Sequence, residues 1–96
     1  STLDDVRYWV AHESFSADEI AVRLHHLLVS VHPFPNGNGR HTRLMADLLV
    51  EQLGQEPFSW GRGELGSPSA TRARYIASLK QADAHDLGAL LAFARS

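Results

Sequence analysis

Cysteine is absent from the 96 residues. That excludes disulfide scaffolds, thiolate metal sites and cysteine nucleophiles, and it leaves the redox compartment open. No stretch reaches the roughly 20 apolar residues that a membrane-spanning helix needs, so no membrane partner is expected. No basic run is present either. The formal charge is −2, from 9 lysines and arginines against 11 aspartates and glutamates, and the two signs are mixed along the chain. Direct nucleic-acid binding is not expected without a basic footprint, and no basic recognition helix is evident. The opening residues Ser1-Thr2-Leu3-Asp4-Asp5 do not resemble a secretory leader, which makes a soluble cytoplasmic protein the default expectation. The chain starts without a methionine, and this start reads as a piece of a longer protein. Strand-like alternation, internal repeats and low-complexity segments are missing as well.

What is there is helical. The length fits a single domain over residues 1–96, and a hydrophobic fraction of 44% suits a globular core. Thr2 with Asp5 can cap a first helix over about Leu3 to His12, with Val6, Trp9 and Val10 on one face. Ser16-Ala17-Asp18-Glu19 is a capping box that opens a second helix, in which Ile20, Leu24, Leu27, Leu28 and Val31 recur at helical spacing. Pro33 and Pro35 forbid its continuation, so residues 32–38 must form a loop. Helix returns at Gly39 or Arg40 and runs to Leu53, with Gly54 as its C-terminal cap. Leu44, Met45, Leu48, Leu49, Val50 and Leu53 cover more than half of that helix, a pattern expected of a central helix surrounded by others. Residues 55–67 read as an irregular connection. Ser67-Pro68 supplies a cap and a first-position proline for a fourth helix buried through Tyr75, Ile76 and Leu79. A short fifth helix follows Asp86. The expected fold is an all-α bundle of about five helices.

The segment His32-Pro33-Phe34-Pro35-Asn36-Gly37-Asn38-Gly39-Arg40 departs from what a helix–helix connection needs. Gly37 and Gly39 open backbone conformations closed to other residues and let a ligand approach the main chain. The helix behind them presents unpaired N–H groups and a positive dipole end, a combination that favours anions and phosphates above all. Arg40 and Arg43, three apart, project from neighbouring faces, and guanidinium groups suit bidentate recognition of phosphate oxygens. The loop reads as a polyphosphate cradle. At its other end stands His32, whose unperturbed pKa of about 6.5 suits a general base for a hydroxyl attacking phosphorus.

This segment resembles the motif of the Fic family, His-x-Phe-x-(Asp or Glu)-Gly-Asn-Gly-Arg followed by two residues and a second Arg. His32, Pro33, Phe34, Gly37, Asn38, Gly39, Arg40 and Arg43 match with the spacing intact. The flanks Leu44-Met45-Ala46-Asp47-Leu48-Leu49 and Pro57-Phe58-Ser59-Trp60-Gly61 resemble those of the mobile mystery protein B subgroup. The resemblance extends from about Val6 to Leu91. It implies a Fic-type helical core that transfers AMP from ATP to a Ser, Thr or Tyr hydroxyl of a target protein. His32 would take the hydroxyl proton and Phe34 would anchor the loop. Gly37, Asn38 and Gly39 would form the anion hole, Arg40 would hold the β-phosphate region and Arg43 would meet the γ-phosphate.

Two departures from the motif carry expectations of their own. Asn36 stands where Mg²⁺-binding family members carry Asp or Glu, and magnesium prefers anionic oxygen. Weaker or water-mediated Mg²⁺ binding through Asn36 is therefore expected. The β-hairpin flap and the inhibitory Ser/Thr-x-x-x-Glu-(Gly or Asn) helix of the family are also not found upstream of His32. The chain is thus expected to be a partial Fic domain whose inhibitory segment or partner lies elsewhere.

Other candidates read as structural. His25 and His26 point roughly 100° apart on a helix and chelate poorly, alone or with His12 or His41. Trp60 is expected under its own loop rather than on adenine. Tyr75 and Phe93 belong to the core, and Asp47 with Glu51 forms a solvated acidic stripe. The competing functions are transfer of another phosphate-linked group such as UMP or phosphocholine, and a non-catalytic nucleotide- or partner-binding module.

Overall fold

A computed structural model describes residues 2–31, 38–63 and 66–96. These residues form five α-helices and no strand: α1 (Thr2–Ala11), α2 (Ala17–Val31), α3 (Asn38–Gln52), α4 (Pro68–Asp83) and α5 (Gly88–Ala94). The all-α reading is correct. The chain divides into two compact units, Ser1–Pro57 and Phe58–Ser96.

In the first unit α2 packs on both α1 and α3, and the α2–α3 interface is the most extensive. The Ser16 hydroxyl accepts the Glu19 N–H at 3.2 Å, the N-cap bond expected for α2. α1 begins at Thr2, so Thr2 lies inside the helix and is not its cap. Asp4 and Asp5 in the first turn instead favour the positive end of the helix dipole. Val6 is buried, Trp9 is half-buried and Val10 is exposed, so the α1 face is narrower than its apolar pattern predicts. Trp9 meets Phe15 edge-on at 5.7 Å, and the Arg23 guanidinium of α2 lies 3.9 Å from the Phe15 ring centre. This cation–π contact ties the α1–α2 turn to the helix that follows.

Two apolar patterns mislead about burial. On α2 the most buried residues are Ile20, Ala21, Val22 and His25, while Leu24, Leu27 and Leu28 are half-buried. A helix with neighbours on two sides buries a broad arc. On α3 the buried stripe is Thr42, Ala46 and Val50, at i, i+4 and i+8. Leu44, Met45 and Leu48 are 54%, 40% and 55% exposed. α3 is therefore not the enclosed central helix that its composition suggests.

The second unit is built on caps. The Ser67 hydroxyl accepts the Ala70 N–H at 3.1 Å and Pro68 occupies the first helical position of α4, as expected. The buried residues of α4 are Ser78 and Ala82, whereas Ile76 is 38% exposed and Tyr75 and Leu79 are half-buried. Asp86 Oδ1 accepts the Gly88 N–H at 3.1 Å at the start of α5. At its far end the Ala94 carbonyl accepts from the N–H groups of Ser59 and Trp60, both at 2.9 Å. The 58–63 turn thus satisfies carbonyl groups that a helix end leaves open. Trp60 is buried edge-on against Phe58 with ring centres 5.1 Å apart, under its own loop as expected.

Candidate functional site

The segment that carries the candidate chemistry is bracketed by the helix pair with the most extensive interface among the described residues. α2 ends at Val31 and α3 opens at Asn38, so both flanks of the glycine-rich segment belong to one helical pair. His32, Phe34, Asn36 and Gly37 lie outside the described residues. α3 begins one or two residues earlier than expected, which places Asn38, Gly39 and Arg40 all in its first turn.

The first turn of α3, like those of α4 and α5, lacks acidic residues, and it differs from them in its basic ones. α1 and α2 carry acidic residues in their first turns, as the helix dipole favours, but α3 carries none. Its opening residues instead include Arg40 and His41, both exposed, with half-buried Arg43 one turn on. The arginines at this end oppose the dipole. The Thr42 hydroxyl donates to the Gly39 carbonyl at 3.1 Å. Thr42 is 3% exposed, so this bond anchors the first turn from its buried side.

Below that turn lies a residue that the motif does not single out. His25 of α2 is wholly buried, and its pKa is lowered to about 4. Desolvation by burial is the largest cause; a hydrogen bond to the Thr42 backbone opposes it, and the charges of Arg43 and His26 lower the pKa further. His25 is neutral at pH 7. The available signal in the sequence was position: His25 follows Ala21 by four residues and Val22 by three, which places a polar ring on a buried helical line.

The remaining histidines do different work. His12 stacks on Tyr8 with ring centres 4.0 Å apart, and its Nδ1 lies 3.0 Å from the Tyr8 carbonyl. His41 is exposed. Among the described residues no three His, Cys, Asp or Glu side chains group as a metal site. A shallow hollow of about 250 Å³ is lined by Ser16, Ala17, Asp18 and Gln55, and none of the described candidate residues borders it. No helix among the described residues is long and apolar enough to cross a membrane.

Fold and site together define a helical protein whose main helix pair flanks a glycine-rich segment followed by arginines. Residues 2–50 match the Fic/DOC family model, and the chain belongs to that family. It is 40% identical over 88 residues to protein adenylyltransferase fic-1 of Caenorhabditis elegans, covering 88% of this chain and 16% of that protein. A Fido domain-containing protein of Dictyostelium discoideum is 41% identical over 64 residues, covering 67% of this chain and 40% of the relative. The solved structure of C. elegans Fic-1 superposes with a TM-score of 0.68 at 33% identity, covering 98% of this chain and 27% of that one. The chain thus spans about a sixth of the C. elegans relative's length.

Proposed function

We propose that this chain is the catalytic core of a protein adenylyltransferase that moves AMP from ATP to a Ser, Thr or Tyr hydroxyl of a target protein. The observation that carries the proposal is the first turn of α3. It opens directly behind the glycine-rich loop, free of acidic residues, with Arg40 and Arg43 beside it. A helix start of this kind is suited to a triphosphate. The relatives named as protein adenylyltransferases support the same reading.

In this proposal His32 accepts the proton of the target hydroxyl, and the freed oxygen attacks the α-phosphorus of ATP. The bond to the bridging oxygen breaks and pyrophosphate leaves. Gly37, Asn38 and Gly39 receive the phosphate oxygens through their backbone, with Phe34 anchoring the loop. Arg40 holds the β-phosphate region and Arg43 the γ-phosphate. Magnesium, when bound, would neutralise phosphate charge, and Asn36 offers it an amide oxygen without a charge. An inhibitory segment or partner, as the family pattern implies, would compete for Arg43. We further propose that the chain belongs to the mobile mystery protein B subgroup, a reading supported by the resemblance of Pro57-Phe58-Ser59-Trp60-Gly61.

Incubation with target extract, Mg²⁺ and ATP labelled at the α-phosphate tests the proposal. Protein-bound label that disappears in His32→Ala is the expected result. Label from UTP or a choline-linked nucleotide in place of ATP would redirect the assignment to another transferred group. ATP binding without label under any metal condition would make the chain a non-catalytic nucleotide-binding module.

A further inference from the structure

α2 places one polar ring on a buried line that is otherwise apolar. Ile20, Ala21 and Val22 span a buried arc at 3%, 0% and 0% exposure, and His25, which projects between Ala21 and Val22, is 0% exposed. Burying an imidazole costs free energy that a leucine would not, unless a specific hydrogen bond compensates. The compensation here is directed at the candidate site. The bond between the His25 ring and the Thr42 backbone favours the protonated ring, so a ring N–H donates and the Thr42 carbonyl accepts. Thr42 in turn donates its hydroxyl to the Gly39 carbonyl at 3.1 Å. A polar chain therefore runs from the core of α2 through Thr42 to Gly39. Arg43 is the residue after Thr42 and lies close enough for its charge to act on His25.

We propose that His25 is a positioning residue of the nucleotide site, fixing the first turn of α3 from below and with it the placement of Gly39 and Arg43 toward the triphosphate. The inference rests on the adenylyltransferase reading, because it needs Arg43 to meet the γ-phosphate. His25 touches no substrate. It links the helix that leads into His32 to the helix that carries the arginines, so the two flanks of the loop hold one spacing. A neutral ring suits this task, since a second positive charge beneath Arg43 would push the guanidinium away.

The test compares ATP and ADP affinity by calorimetry in wild type, His25→Leu and His25→Gln, with melting temperature and amide NMR spectra alongside. In wild type, contact between Arg43 and the γ-phosphate makes ATP bind more tightly than ADP. His25→Leu should lose ATP affinity on the order of tenfold through misplacement of Arg43. Its ADP affinity should fall clearly less, because Gly39 moves with the turn but ADP offers Arg43 no γ-phosphate, and the Gly39, Thr42 and Arg43 amide signals should move. His25→Gln, a neutral donor reaching as far as the ring Nε2, should restore most of the ATP preference. A folded His25→Leu with an unchanged ATP-to-ADP ratio overturns the inference. So does an equal loss for both nucleotides that follows melting temperature, because that marks a purely structural role. Should His25→Leu not fold, Thr42→Val removes the hydroxyl bond to Gly39 and must show the same ATP-selective loss, or the inference falls. Wild-type protein that binds neither nucleotide overturns the adenylyltransferase reading and this inference together. A wild type that transfers AMP while the variants keep its ATP preference overturns this inference alone.

Discussion

A histidine usually titrates near neutrality, but His25 does so near pH 4, and that difference makes it visible in stability. The unfolded chain returns the ring to about 6.5. Between the two values the unfolded state binds more protons than the folded one, so stability rises with pH through this window. The contribution is fully present above pH 6.5 and is lost as pH falls toward 4, an effect of about 3 kcal/mol. Burial of the ring is the main cause, the Thr42 backbone opposes it, and the charges of Arg43 and His26 add to it. Urea midpoints measured at pH 7.5 and pH 4.5 should fall with acid in wild type and fall much less in His25→Leu. Asn36 supports a second prediction at this scale. Asn36→Asp should tighten Mg²⁺-dependent ATP binding by several-fold, because an anionic oxygen ligates magnesium better than an amide. Titration of magnesium at fixed nucleotide measures it, and an unchanged magnesium dependence would show that residue 36 does not face the metal. The importance of Asn36 was legible from the motif alone. That of His25 was not, since an adjacent histidine pair reads as a poor chelator until burial singles out one ring.

Three of the helices end by one device. After α3, Gly54 has φ +93°, its N–H donates to the Glu51 carbonyl at 3.0 Å, and the Gln55 N–H donates to the Val50 carbonyl at 3.0 Å. The same paired bonds close α1 through Glu13 and Ser14 and close α4 through His85 and Asp86. Each pivot lies in the left-handed region, Glu13 at φ 49° and His85 at φ 68°. A side chain at such a position costs about 1 kcal/mol relative to glycine. Glu13→Gly and His85→Gly should therefore raise stability by up to about 1 kcal/mol each, and Gly54→Ala should lower it by a similar amount. Gly61→Ala should cost distinctly more. Gly61 has φ +82°, and an added Cβ would lie 2.8 Å from Thr71 Cγ2 and 2.9 Å from Phe93 Cε1, whereas nothing lies within 4 Å of one at Gly54. Thermal or urea unfolding of the four variants gives the ranking. Gly54 was readable as a cap because glycine announces one. Glu13 and His85 were not, because their conformation is imposed by the carbonyl groups they satisfy.

At the scale of the whole molecule, a ligand that binds only the folded chain raises its stability by mass action. ATP at about 100 times its Kd should contribute about 2.7 kcal/mol, or a rise in Tm of roughly 10–20 °C for a domain of this size. The double variant Arg40→Ala with Arg43→Ala should lose most of that rise while melting near the wild-type temperature without nucleotide. Scanning fluorimetry with and without ATP separates the two cases. A shift that survives both substitutions would place the phosphates away from α3.

Sequence alone was enough to locate the five helices, the caps at Ser16 and Ser67 and the stop at Gly54. Each of these is decided within a few residues, by hydrogen bonds to the nearest backbone or by the conformational range of glycine and proline. Tertiary structure alone decided which faces are buried. The apolar pattern marked Leu44, Met45 and Leu48 for the interior, yet small and β-branched Thr42, Ala46 and Val50 face inward and those larger residues remain exposed. Hydrophobicity states what burial would gain, but the closeness of a neighbouring helix selects the residues that fit beneath it. The same packing turned His25 from a residue without a role into the buried link between the two helices that carry the loop.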